Sequence, residues 1–242
     1  MRRRFFVNEF ANGRSVTRGE AAHHLVRVLR AQAGQEYELS DGQVAWLARI
    51  TSVERDRVDW ELLEKLPFCP RELHTTLLLS VVKFDAFEWA LEKATELGVN
   101  RIVPVAAERS EKALLAAASK RAERWKKILL GAAEQSRRVQ IPSLDAPATA
   151  AHVFSIETAG LKLLLSERPD APGLRILLRG ATATNVALAV GPEGGWTDEE
   201  LAVADRAGFR QGSMGELILR TETAVIAALA SVNYEFLGRE NQ

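Results

Sequence analysis

The sequence predicts an α/β protein with a mainly parallel sheet, preceded by a small β-barrel-like module. Three observations carry this. After residue 74, near-continuous apolar runs alternate with segments of helical periodicity. Before residue 67, short stretches of period-two alternation flank one helical segment. Between them "PFCPREL" (67–73) holds two prolines where both periodicities fail, which marks a linker between a module over 1–68 and a domain over 74–242. With 242 residues, 47% of them hydrophobic and 26% charged, the chain is large and apolar enough for such cores.

The elements follow in order. In "TRGEAAHHLVRVLR" Thr17 reads as a helix N-cap with Glu20 three residues on, a capping-box pattern. Ala22, Leu25, Val26 and Leu29 share one helical face, and Gly34 follows the end. "EYELSDGQVAWLARI" alternates on both sides of Asp41-Gly42, a hairpin signal, and "RVDWELLEKL" supplies another strand. "TTLLLSVV" (75–82) suits a strand buried on both faces. "FDAFEWALEKATELG" (84–98) is helical and closes at Gly98; "RIVPVAA" is a strand; a long helix is expected from Ser119 to about Arg138. "KLLLSE" (162–167) and "VALAV" (186–190) are strands. Thr197 with Glu200 forms a second capping box on a helix that Gly208 stops. Leu217-Ile218-Leu219 then reads as an extended run with Arg220 at its last position. Thr221 opens a helix whose core-facing stripe is Val225, Leu229, Val232 and Phe236.

Composition removes several function classes. Formal net charge is zero and the pI about 6.9, so any basic face must be local. The single cysteine, Cys69, rules out an intramolecular disulfide and a cysteine zinc site, and the four histidines, His23 and His24 adjacent and His74 and His152 alone, point to no metal. No apolar run reaches membrane length, and no signal-peptide core follows the basic "MRRRFFVNEF". A soluble, cytoplasmic protein of a reducing compartment is expected. There is no GxGxxG, no GxxxxGK[ST] and no Ser-His-Asp arrangement, so dinucleotide, P-loop and hydrolase readings lack support.

What remains is a set of strand ends. "LAVGPEGGW" (188–196) stops an apolar run with glycines that let a ligand approach the main chain. "LLLSERP" (163–169) and "GSMGELILRTETA" (212–224) end two further runs in small or polar residues. In open α/β sheets ligands sit beyond the carboxyl ends of strands, so three such ends suit one shared pocket. A tight strand–helix turn is the plain alternative for the glycine loop taken alone.

"GPEGGWTDEE" together with "MGELILRTETA" resembles the knotted methyltransferases of the SPOUT superfamily, and more narrowly the bacterial 16S ribosomal RNA uridine-N3 methyltransferases, the RsmE family. The likeness extends through "EKATELGVNRIVPVAAERS", "RWKKILLGAAEQSRR" and the N-terminal "RRRFF…HHLVRVLR". The departure is Met214-Gly215-Glu216-Leu217, where members usually carry Leu-Gly and a basic or proline residue. The resemblance implies a C-terminal trefoil-knotted domain that binds S-adenosylmethionine and an N-terminal PUA-like RNA-binding domain. It implies a first cofactor wall of Leu165, Ser166 and Glu167, and a second of Val190, Gly191, Pro192, Glu193, Gly194 and Gly195. The third wall would be Met214, Gly215, Leu217, Ile218, Leu219, Thr223 and Ala224. Glu193 would bond ligand hydroxyls or cap the following helix.

Transfer to uracil N3 needs the N3 proton removed and the charge on the flanking carbonyl oxygens stabilised. Arg220 fits the stabilising role, with helix-end salt bridging as its ordinary alternative, and Glu222 is the candidate base. From Arg109 to Arg138 nine Lys/Arg face three Glu, a surplus that suits phosphate contact, although a solvated helix with a Glu123–Lys127 pair explains it too. By resemblance, Arg109, Ser110, Gln135 and Arg138 lie nearest the target base, while Arg2, Arg3, Arg4, Arg27 and Arg30 hold backbone phosphates. The implied partners are 16S rRNA within the small ribosomal subunit and a second copy in a homodimer. The rival readings are a SPOUT enzyme for another rRNA or tRNA position and a non-catalytic RNA-binding ribosome-assembly protein.

Overall fold

The computed structural model describes residues 3–68 and 70–237, and forms two compact units. One takes Met1–Pro70 with Ala133–Ile141; the other takes Arg71–Ala132 with Pro142–Gln242.

The first unit is a five-stranded sheet in the order β1-β3-β4-β5-β2, built from β1 (Arg4–Phe6), β2 (Arg14–Arg18), β3 (Glu36–Ser40), β4 (Ala45–Val53) and β5 (Arg57–Leu66). Only β1 and β3 run parallel. The β3–β4 hairpin turns at Asp41, whose Oδ1 accepts from the amides of Gln43 and Val44, both at 2.9 Å. Phe5, Leu25, Leu39, Ile50, Val58 and Trp60 make its core. The expected N-cap at Thr17 is corrected here: Thr17 lies in β2, paired with Val58, and its buried Oγ1 accepts from Trp60 Nε1 at 2.8 Å. A sheet partner and a buried indole claim the hydroxyl that a helix cap would have used. The helix is short, α1 (Gly19–His23), and widens into a single π turn over His24–Val28. Ala22 and Leu25 of the expected stripe are fully buried.

Residues 133–141 join this unit through polar contacts of long sequence range. Glu38, 3% exposed, receives Arg4 Nη2 at 2.7 Å and also pairs with Arg137. Arg4 Nη1 donates to the Arg137 carbonyl, and Ser40 Oγ to that of Val139 at 2.7 Å. Arg137 itself has φ of 56°, with its amide on Glu134 O and the Arg138 amide on Ala133 O, a Schellman helix end made without glycine.

The second unit is a parallel sheet in the order β12-β10-β11-β6-β7-β8, with β9 beside β7. Its strands are β6 (His74–Ser80), β7 (Arg101–Ala106), β8 (Ser143–Leu144), β9 (Ala148–Thr149), β10 (Leu161–Leu165), β11 (Asn185–Val190) and β12 (Arg210–Gly212). Helices cover both faces, which is why the strands read as continuous apolar runs. In β11, Val186, Leu188 and Val190 face α2 (Phe84–Glu96), α3 (Lys112–Gln135), α5 (Leu174–Leu178) and α7 (Thr221–Leu237). Ala187 and Ala189 face α4 (Ala150–Ile156) and α6 (Asp198–Arg206). Glycine at 208, with φ of 85°, ends α6 by the same Schellman pattern.

Two further expectations change. The long helix begins at Lys112 rather than Ser119 and ends at Gln135. Residues 213–220 contain no strand; the third strand end belongs to β12, and Leu217 and Ile218 are each 81% exposed. Among the described residues the Leu217-Ile218-Leu219 run has no sheet partner, and of its three residues only Leu219 packs, partly buried, against the core, so composition misread it.

Candidate functional site

Register places the site. Leu165 of β10 pairs with Gly212 of β12, and Leu164 pairs with Ala189 of β11, so three neighbouring parallel strands end side by side. The loops that leave them enclose a cleft of about 610 Å³ within the second unit, a size that suits a nucleotide-like ligand. Fifteen of the sixteen expected cofactor residues line it. The exception is Thr223, exposed one residue before the lining Ala224.

The loop after β11 is shaped by its absent side chains. A Cβ on Gly191 would stand 3.1 Å from Trp196 Nε1, and one on Gly194 would stand 3.2 Å from Arg109 Cβ. Gly195 takes φ of 70° while its amide bonds Pro192 O at 2.8 Å, so a tight turn and room for a ligand coincide. Below the loop, the Trp196 indole packs edge-on against Phe154 at 5.4 Å and is 7% exposed. Thr221 Oγ1 donates to Gly191 O at 3.3 Å, which ties the start of α7 to the glycine loop. Across the cleft, Ser166 N donates to Gly212 O at 3.0 Å, and Ser213 Oγ bonds both the carbonyl and the amide of Gly215.

The capping box on α6 is complete and reaches further than a cap. Thr197 Oγ1 accepts from Glu200 N, and Glu200 Oε2 accepts from Thr197 N at 2.9 Å. Glu200 Oε1 also accepts from the amide of Glu108 at 2.9 Å, in the turn after β7. The next residue, Arg109, donates from Nη1 to Gly194 O at 2.8 Å and lines the cleft.

Arg220 lines the cleft too; it is exposed, and its guanidinium makes no ion pair among the described residues. Glu222 is 9% exposed and is not a lining residue, so its placement gives no support to a role as base at this cleft. Ser110 is buried, with no hydrogen-bond partner for its Oγ among the described residues. Gln135 and Arg138 belong to the other unit, where Arg138 Nε donates to Gln140 O.

The expected phosphate ligands divide. Arg27 and Arg30 are exposed, and Arg3 is half-buried beside Glu134 at 3.7 Å. Arg4 is corrected: 7% exposed and committed to Glu38 and the Arg137 carbonyl, it has no face for a phosphate. Arg2 lies outside the described residues. On α3 much of the basic surplus is already paired. Arg121 and Arg124 hold the buried carboxylate of Glu88, and Glu123 bonds Lys126. Sequence reading missed Arg168, Trp196, Asp198 and Thr221 as cleft residues. Trp196 and Asp198 adjoin the glycine motif and had a signal in that position. Arg168 sits one residue past the expected wall, where it meets Asp198 at 3.0 Å across 30 positions of sequence.

Among the described residues no group of three or more His, Cys, Asp or Glu is placed to hold a metal, and no helix is long and apolar enough to cross a membrane.

The family model described as an RNA methyltransferase domain matches residues 69–233, and one described as an RNA methyltransferase PUA domain matches residues 17–63. The ribosomal RNA small subunit methyltransferase E of Synechocystis is 36% identical over 222 residues, covering 87% of this chain and 70% of the relative. The protein of the same name from Bacillus subtilis is 31% identical, covering 90% and 88%. A crystal structure of ribosomal RNA small subunit methyltransferase E from Neisseria gonorrhoeae, bound to S-adenosyl methionine, superposes with a TM-score of 0.85 at 30% identity, covering 96% and 97%. With its parallel sheet, its glycine-lined cleft and its PUA module, the chain belongs to the ribosomal RNA small subunit methyltransferase E family.

Proposed function

We propose that this protein methylates N3 of a specific uridine in 16S ribosomal RNA, with S-adenosylmethionine held in the cleft between the ends of β10, β11 and β12. The observation that carries the reading is the glycine cradle. A Cβ at 191 or 194 would press on Trp196 or Arg109, so the protein's own packing keeps both positions bare of side chains, and both line the cleft where the ligand would lie. The residues fit the cofactor. Residues 165–167, 190–195 and 214–219 line the cleft, where their main-chain groups would read an adenine edge and the side chains of Leu165, Val190 and Met214 would cover its face.

When bound, the cofactor supplies an electrophilic methyl group. The chain's own contribution is to position the base and to stabilise charge. Arg220, always cationic and without an ionic partner among the described residues, lines the cleft and would stabilise the uracil carbonyl oxygens as N3 loses its proton. Arg109, with one N–H spent on Gly194 O, offers its remaining donors at the same rim.

The family's trefoil-knotted threading, the assignment of 1–68 as an RNA-binding module and of 74–242 as the knotted catalytic domain, and a cytoplasmic place in ribosome biogenesis belong to the same proposal. So does a homodimer, for which the 81% exposure of Leu217 and Ile218 at the cleft is the supporting feature. Arg3, Arg27 and Arg30 of the first module would meet phosphates.

The test is transfer of tritiated methyl to small-subunit particles, and to naked 16S rRNA, from a strain lacking the modification, followed by nucleoside analysis. Label in 3-methyluridine supports the reading. Label in another nucleoside, or only in tRNA, moves the protein to another substrate, and cofactor binding without transfer makes it a binding protein.

A further inference from the structure

We infer that Glu200 is a positioning residue for the RNA-facing step: it sets Arg109 on the cleft rim through the Glu108 amide. Resting on the functional reading above, the inference assigns a task to a carboxylate that lines no part of the cleft. Glu200 is 9% exposed and takes three donors, Glu108 N, Thr197 N and Thr197 Oγ1, at 2.9, 2.9 and 3.3 Å. An N-cap box alone needs only the exchange with Thr197. The bond to Glu108 is additional, spans 92 positions of sequence, and joins the turn after β7 to the first turn of α6.

That turn carries Arg109. Its guanidinium reaches Gly194 O at 2.8 Å, and its Cβ and Cδ lie 3.2 and 3.4 Å from where a Gly194 Cβ would stand. Arg109 is therefore pinned at two points, its own head group on the glycine loop and its neighbour's amide on Glu200. An exposed arginine carries much rotamer freedom, and fixing the backbone at its base leaves less to lose on meeting an anionic or carbonyl oxygen. Hydrogen bonds to ionised acceptors are the strong ones, which suits a carboxylate to this task better than an amide.

The test compares Glu200→Gln, Thr197→Val, Arg109→Ala and the double variant Glu200→Gln/Arg109→Ala. Glu200→Gln keeps one acceptor oxygen but turns an amide N–H toward a donor. Thr197→Val damages the cap yet leaves the Glu200–Glu108 bond. In Glu200→Gln, hydrogen exchange of residues 107–111 should quicken and kcat should fall by about tenfold, the loss of one charged hydrogen bond, with cofactor affinity within about twofold by calorimetry. In the Arg109→Ala background the same change should cost almost nothing, because its effect runs through Arg109. Thr197→Val should loosen α6 without quickening 107–111 and without coupling to Arg109. Equal losses from Glu200→Gln in both backgrounds, or unchanged exchange at 107–111, would overturn the inference. A wild-type protein that binds cofactor but methylates no RNA would instead remove the functional reading, and the exchange data would still decide whether Glu200 holds the turn.

Discussion

Replacing Gly194 by valine should destroy cofactor binding and leave the protein folded. The structure sets the size of the effect. A Cβ at 194 stands 3.2 Å from Arg109 Cβ and 3.4 Å from its Cδ, and the side chain of Arg109 is held there by Nη1 on Gly194 O at 2.8 Å. Gly194 and Arg109 both line the cleft of about 610 Å³, so the two methyl groups beyond that Cβ add bulk at its wall. Overpacking of this kind costs about 1–3 kcal/mol, and losing the Arg109 hydrogen bond costs about 1.5–3 kcal/mol more. The exposed loop can relax around the valine in the free protein, and a ligand seated on the wild-type loop geometry would have to undo that relaxation, which is how the cost reaches binding. Titration calorimetry with S-adenosylmethionine should therefore show Kd raised by about 100-fold or more, equivalent to about 2.7 kcal/mol. The melting temperature should move by no more than about 4 °C. A folded variant whose affinity stays within about twofold of wild type would refute the claim that the glycine loop contacts the ligand.

Other expected outcomes follow from particular residues. Arg220→Ala should lower kcat by about 100- to 1,000-fold, the usual loss of one preorganised charge-stabilising donor, with only a small change in cofactor Kd; near-normal turnover in a single-turnover assay would reject that role. Gly191→Ala should weaken cofactor binding because its Cβ meets Trp196 Nε1 at 3.1 Å, and Trp196→Leu should recover part of the loss in a calorimetric double-mutant cycle. Burial raises the carboxyl of Glu134 to about 7, against the opposing influence of Arg3 and the Phe6 amide. The folded state thus binds the extra proton between pH 4.5 and about 7, so stability falls as pH rises through that window. Glu134→Gln should flatten this fall by on the order of 1–3 kcal/mol, read from urea midpoints at pH 5 and 8. If Arg27 and Arg30 meet phosphates, each alanine variant should reduce the log–log salt slope of RNA binding by about 0.7–0.9, and an unchanged slope would exclude them.

Local chemistry made part of this molecule legible in sequence. The Thr197–Glu200 box, the Asp41 turn and the stop at Gly208 each depend on neighbours a few residues apart, and each forms as its sequence suggests. The cleft was legible for the same reason, since small and polar residues at three strand ends mark where backbone must lie open. What was not legible depends on distant partners. Thr17 looks like a cap until Trp60 claims its hydroxyl 43 positions away. Leu217 and Ile218 look like a strand because they are apolar, but among the described residues no strand pairs with them. Arg4 is expected as a phosphate ligand by resemblance to PUA-like domains; the buried Glu38 takes it instead. The link from Glu200 to Arg109 through the Glu108 amide has no local pattern at all.

The most direct measurement is a crystal structure of this protein grown or soaked with S-adenosylmethionine. The account predicts a bound cofactor against Gly191, Gly194 and Gly195, between Leu165–Glu167 on one side and Met214–Leu219 on the other, with its methyl group open toward Arg220. Cofactor found at another site, or a cleft closed over by its own side chains under saturating ligand, would contradict it.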